Sequence, residues 1–331
     1  MRRSALSTAL KSGWLAAGAV LFASSTVAGP IGWAPGGSPG VATAPVSIFK
    51  SYTGATYGTG GVGLRNRSTG VLHISGIPAA PAMIDSWLYL AMLFKPGTTP
   101  PAVIPVTVKR LFPGGAPNTA HLMASLTGTG GDPCWGSGGN AVYKVPVPLP
   151  IAVGNGAYQI TVGKTFSAVA TGDDPFTVPV VFPAAEGASM LIVGPGTKTV
   201  ALYDYIAGVE FGAGFGYVLP LPSPTTGGAM LMDAFGADGQ IGSSRTPAPP
   251  GVHVETVSVN GFPVSGTPAG SDTDSDWNGS AAFPLPQLWD DVGHDITPGA
   301  KAGTTSLDVV IGQPAAPPND CLVAVANVVS Y

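Results

Sequence analysis

The residues best suited to chemistry form one acidic string, Asp272-Thr273-Asp274-Ser275-Asp276-Trp277-Asn278-Gly279-Ser280. Read from Asp274 it gives D-x-D-x-N-G-S, which alternates oxygen ligands and ends on a glycine turn. Calcium takes about six to eight hard oxygens, and side chains at every second position can fold around it. Asp272, Asp274, Asp276, Asn278 and Ser280 are therefore the candidate ligands. An EF-hand places a bidentate Glu at its twelfth position, where this chain has Leu285. The closing ligand must then come from beyond Pro284-Leu285-Pro286, where Asp290 or Asp291 is placed to supply it. A solvated acidic loop is the competing reading.

Other reactive types are sparse. The four histidines, His73, His121, His253 and His294, show neither H-E-x-x-H nor H-x-H spacing, so no local zinc signature exists. Ser189 lies inside an apolar run rather than at the strained turn a nucleophile elbow needs. A glycosidase pair needs two carboxylates flanking a sugar. The chain has only 18 acids, several of them in turns such as Gly172-Asp173-Asp174-Pro175. A catalytic site would have to assemble from distant strands. Trp277 and Trp289 flank the acidic string and Trp135 sits among glycines, where an exposed indole could stack on a sugar; burial in the core is the competing role. Cys134 and Cys321 are the only cysteines. In an oxidising compartment an even number suggests a disulfide, with two buried thiols as the alternative.

The elements that must position these residues are short strands. Runs rich in β-branched and aromatic residues recur between turn signals, and no long stretch carries the helical i, i+3, i+4, i+7 pattern. Expected strands in the first half are 71–77, 86–94, 103–111, 141–147 and 158–162. The second half adds 189–193, 197–203, 229–234, 252–260, 306–311 and 321–331. Ser86–Leu93 is apolar on both faces, as a central strand would be, and 197–203 reads as half-exposed. The 48 glycines and 34 prolines make up about a quarter of the chain. They serve as punctuation, since disorder would require few aliphatics and high net charge. The expectation is an all-β protein of two jelly-roll-like β-sandwich domains, spanning 46–170 and 185–331.

The N-terminus has the three parts of a secretory signal peptide. Arg2, Arg3 and Lys11 precede an apolar run from Gly13 to Ala23, and small residues lead to a cleavage site at Ala28. Residues 1–28 are read as the signal and 29–45 as a flexible lead-in. The apolar run is too short to span a bilayer, and no later segment is long enough to serve as a membrane helix. With a net charge of −4 and no basic cluster, neither nucleic acid nor an anionic membrane is a suitable partner.

The second half resembles a family of uncharacterised bacterial and archaeal cell-surface proteins, a domain of unknown function with a presumed β-sandwich fold. Its carriers are Ala185–Val193 followed by Val200–Asp204, then Gln287-Leu288-Trp289-Asp290 with His294-Asp295-Ile296-Thr297, and the closing Asp320–Val325. Asp132-Pro133-Cys134-Trp135 is similar in the first half. Gly194-Pro195-Gly196 departs from the pattern, where related chains carry a longer, more polar turn. The resemblance implies secretion and fold but no chemistry.

The reading of function is a non-enzymatic secreted or cell-surface structural or binding module, stabilised by calcium and facing a surface polymer or glycan. A secreted polysaccharide hydrolase or carbohydrate-binding protein is the alternative. An outer-membrane β-barrel is the third reading, and the many prolines near strands count against it.

Overall fold

The computed structural model describes residues 46–78, 82–130, 136–163, 180–209, 215–237, 256–264, 288–312 and 322–331. The protein is nearly all β, built from large curled antiparallel sheets of the β-sandwich class. In chain order the first strands are β1 (Ile48–Gly63), β2 (Thr69–Ile74), β3 (Asp85–Leu93), β4 (Val103–Phe112), β5 (Thr119–Gly130), β6 (Asn140–Pro146) and β7 (Gly156–Val162). They are followed by β8 (Ala184–Val209), β9 (Phe215–Pro220), β10 (Leu231–Ala237), β11 (Thr256–Val259), β12 (Phe262–Pro263), β13 (Trp289–Asp295), β14 (Ser306–Gly312) and β15 (Leu322–Ser330).

One sheet runs β13-β10-β15-β8-β3-β6-β5-β4-β7-β2, with β1 added on β8. Its first part curls until β2 reaches β1. Gly58 and Gly60 permit that closure: a Cβ at Gly60 would stand 2.2 Å from the His73 carbonyl oxygen, and one at Gly58 2.5 Å from that of Ser75. The curl encloses a core that includes Leu72, Leu88, Leu90, Ile104, Val106, Val108, Tyr158 and Ile160. A four-stranded sheet, β12-β11-β14-β9, helps build a second core, where Val259, Leu307 and Val309 join Met232, Ala234, Tyr203 and Val329 of the large sheet. A third core gathers Tyr89, Leu191, Leu202, Phe235, Trp289 and Val325.

β8 unites these parts. Its residues 187–203 pair with β1 along one edge. Its other edge takes β3 at 184–193 and β15 at 200–209. Two strands were expected here, separated by a turn at Gly194-Pro195-Gly196. Instead the chain continues through a β-bulge, with Ala55 opposite both Pro195 and Lys198. A proline without a ladder N–H is tolerated at such a bulge. Gly196 is required there, because a Cβ would fall 2.5 Å from the Ala55 carbonyl oxygen. Nor is Val200–Tyr203 half-exposed: both of its faces are buried, Ala201 and Tyr203 in the second core, Val200 and Leu202 in the third.

The central position expected for Ser86–Leu93 is observed, since β3 lies between β8 and β6. The strand expected at 103–111 is β4, and its side chains alternate between core and solvent. Ile104, Val106 and Val108 point into the first core, while Val103, Pro105, Thr107 and Lys109 face outward.

Candidate functional site

That alternation in β4 builds a solvent-facing surface across β5, β4, β7 and β2. Register places His121 opposite Thr107, Thr107 opposite Thr161, and Thr161 opposite Thr69. The four side chains form a polar row perpendicular to the strands. His121 Nδ1 and Thr107 Oγ1 share a hydrogen bond at 3.0 Å, and Thr161 and Thr69 are joined by another at 3.0 Å. Beside the row opens a shallow pocket of about 200 Å³, with Pro105, Thr107, His121, Met123, Thr161 and Gly163 in its wall. Met123 is 55% exposed and supplies an apolar edge. Drug-sized ligands occupy pockets of roughly 300 Å³ or more, so this one suits a single small ring or a side group of a longer chain. Sequence reasoning treated His121 as an isolated histidine. The signal that could have found the row was the outward alternation Pro105-x-Thr107, which acquires meaning only once β5 and β7 are set beside it.

A second cluster lies where β1, β8, β10 and β13 meet. Asp233 of β10 and Asp291 of β13 interact electrostatically. Tyr57 of β1 lies beside Asp233, and Ser189 and Thr59 lie beside Asp291. Trp289 Nε1 donates to Ser189 Oγ at 3.0 Å, which fixes that hydroxyl. Glycine makes the room: a Cβ at Gly293 would lie 2.6 Å from Asp233 Oδ1, and one at Gly187 2.3 Å from the Trp289 ring. Desolvation pushes the Asp233 carboxyl up to about 6. Desolvation, with the Asp233 charge added, pushes Asp291 up to about 7. Both residues keep some accessible surface, while Asp291 Oδ2 itself is buried. Sequence reasoning offered Asp291 only as a ligand for the acidic string and did not single out Asp233, which is distant from it in the chain.

Other acids are matched to cations. Glu186 and Arg65 form a fully buried bidentate pair. Lys50 pairs with Asp85, and Lys144 with Asp204. His294 is buried, and desolvation draws its pKa down to about 4.

Of the expected calcium ligands, Asp272, Asp274, Asp276, Asn278 and Ser280 lie outside the described residues, as do Trp277, Trp135, Cys134 and Cys321. Asp290 is described: it is buried in β13 opposite Gly236. Its neighbour Asp291 emerges on the other face of the strand. Among the described residues, no group of three or more His, Cys, Asp or Glu is placed to hold a metal ion, and no helix is long and apolar enough to cross a membrane.

No family model matches the chain, and no curated protein does. Among solved structures it is similar to a β-porphyranase of glycoside hydrolase family 86 from the human gut bacterium Bacteroides plebeius, at 11% identity and a TM-score of 0.27, over 78% of this chain and 38% of that one. BuGH86 in complex with neoagarooctaose aligns at 12% identity and a TM-score of 0.25, over 78% and 33%. The VP2 subviral particle of infectious bursal disease virus aligns at 9% identity and a TM-score of 0.19, over 86% and 73%. The chain thus spans little more than a third of the glycoside hydrolase chains. Likeness at these scores carries no argument about what the protein does.

Proposed function

We propose that the protein is a secreted or cell-surface binding module, without catalytic activity of its own, that docks on an extracellular glycan. The polar row Thr69–Thr161–Thr107–His121 beside the pocket carries this reading. A pyranose presents hydroxyls at its edge and C–H groups on its face. The row offers donors and acceptors to the first, and Met123 and Pro105 offer apolar contact to the second. The signal-like N-terminus supports export, and calcium held by the acidic string belongs to the same reading as a stabiliser. Hydrolysis by a carboxyl pair needs both groups open to a sugar. Asp233 and Asp291 are instead secluded beneath β1, which favours binding over cleavage.

A glycan array probed with the mature protein, with and without calcium, tests the reading. Binding to a polysaccharide class is expected, with at least a tenfold loss in His121→Ala and Thr107→Ala, equal to about 1.4 kcal/mol. Release of new reducing ends from a bound glycan, abolished by Asp291→Asn, would replace binding with the hydrolase reading. Binding that survives both pocket substitutions would move the site off this face.

A further inference from the structure

In a chain with only 10% charged residues, four charges converge where β1, β3, β6 and β8 meet. Lys144 of β6 reaches Asp204 of β8 with its Nζ in direct contact with Oδ2. Their side chains are only 12% and 21% exposed. The Phe49 ring covers the amine, with its centroid 2.9 Å from Nζ, and the Trp87 ring stands 5.4 Å away. Tyr89 Oη donates to the other carboxyl oxygen, Asp204 Oδ1, at 2.5 Å. A primary amine, a carboxyl group and a fixed donor to the second carboxyl oxygen are thereby assembled beneath aromatic rings. These are the requirements of amide formation.

We propose that Lys144 and Asp204 condense spontaneously into an intramolecular amide, a covalent link between β6 and the second half of β8. Within the pair a proton passes from ammonium to carboxylate, which gives the amine its free lone pair and the acid a hydroxyl that can leave as water. The Nζ lone pair attacks Asp204 Cγ. The new N–C bond forms, charge gathers on Oδ1, and Tyr89 Oη stabilises it as a preplaced donor. The C–Oδ2 bond then breaks, and Oδ2 departs as water with the acid's proton and one from Nζ. One water leaves, nothing is oxidised or reduced, and no co-reactant is needed. Proximity replaces the encounter of separate reactants.

Two protonation tendencies agree with this geometry. Burial lowers the Lys144 pKa, against the opposing pull of Asp204. Burial also raises that of Tyr89, followed by the Asp204 charge, so the phenol stays a donor. The neighbouring pair Lys50–Asp85 is a built-in comparison. Lys50 is 26% exposed, and Tyr52 Oη donates at 2.7 Å to Asp85 Oδ2, the same oxygen that Lys50 contacts. That donor holds the oxygen that would have to leave, while the Ser86 backbone N–H donates to Asp85 Oδ1 at 2.8 Å, so this pair differs from Lys144–Asp204 in its more exposed amine and in the donor on its leaving oxygen.

Mass spectrometry of the reduced, denatured full chain, with peptide mapping, tests the bond. The expected result is a mass one water below that of the unmodified chain and a branched peptide joining Lys144 to Asp204. Lys144→Arg and Asp204→Ala should lose both signals, and Lys50→Arg should keep both. Tyr89→Phe should slow the water loss after refolding by tenfold or more. Unmodified Lys144 and Asp204 peptides from the folded wild-type chain would overturn the proposal. So would a branch at Lys50–Asp85, or a water loss confined to a linear peptide, as a cyclised aspartate would give. Because the wild-type protein supplies the decisive reading, a variant that fails to fold leaves the test intact.

Discussion

Asp233 and Asp291 show how burial can turn ordinary carboxyl groups into near-neutral acids. Their folded values of about 6 and about 7 lie above the ordinary 3.8. Between those limits the folded state holds protons that the unfolded chain has released, so stability falls as pH rises from about 4 to 7. His294 opposes this. Its folded value of about 4, against the ordinary 6.5, means that the unfolded chain binds the extra proton, so its contribution rises over much of the same window. Two acids against one base leave a net decline. Asp291→Asn keeps the shape and removes the charge. Its melting temperature should exceed wild type by several degrees near about pH 8 and match it near about pH 3, below the ordinary carboxyl value. An equal gap at both pH values would show that charge is not the cause. The acidic string drew attention in the sequence because its ligands are consecutive. Asp233 and Asp291 are brought together only by the β10–β13 register and by β1 lying across it, neither of which local spacing encodes.

At the scale of elements, legibility followed the aliphatic residues. β3, β4, β6, β7, β14 and β15 were found because Val, Ile and Leu recur in them with strand periodicity. β1 was missed. Its sequence, Ile48-Phe49-Lys50-Ser51-Tyr52-Thr53-Gly54-Ala55-Thr56-Tyr57-Gly58-Thr59-Gly60-Gly61-Val62-Gly63, looks like loop composition. Gly58 and Gly60 are there because β2 and the residues just after it pack directly onto the backbone of β1, a tertiary demand invisible in the segment itself. Gly60→Ala should therefore destabilise the protein by about 1–3 kcal/mol, as overpacking does, measured by denaturant midpoint at constant m-value. An unchanged midpoint would show that β2 moves away without cost. β8 failed differently: Gly194-Pro195-Gly196 has turn composition, and only pairing with β1 reveals a bulge. Turn residues and bulge residues are the same types.

Over the whole molecule, the fold class was legible because glycine and proline punctuate a chain too aliphatic to be disordered. The division expected at residues 171–184 falls largely outside the described residues. The described strands on either side of it meet in one sheet, and β8 contributes to all three cores, with Met190 and Ile192 in the first, Ala201 and Tyr203 in the second, and Leu191 and Leu202 in the third. Shared elements couple their surroundings. Thermal unfolding followed by near-UV and far-UV signals should therefore give one coincident transition, whereas two separated midpoints would show that the halves melt independently.

The placement of β1 and β15 on opposite edges of β8 also has a mechanical meaning. Ile48 pairs with Tyr203, and Tyr331 exchanges backbone hydrogen bonds with Thr199, so the first and last described strands meet β8 at almost the same height. Both run antiparallel to it. Tension entering at Ile48 and leaving at Tyr331 would drag the two outer strands in opposite directions along their own axes. The ladder bonds would be loaded in shear, many at once, rather than peeled one after another. Under such a load the arrangement puts many backbone bonds in the path of the force at once.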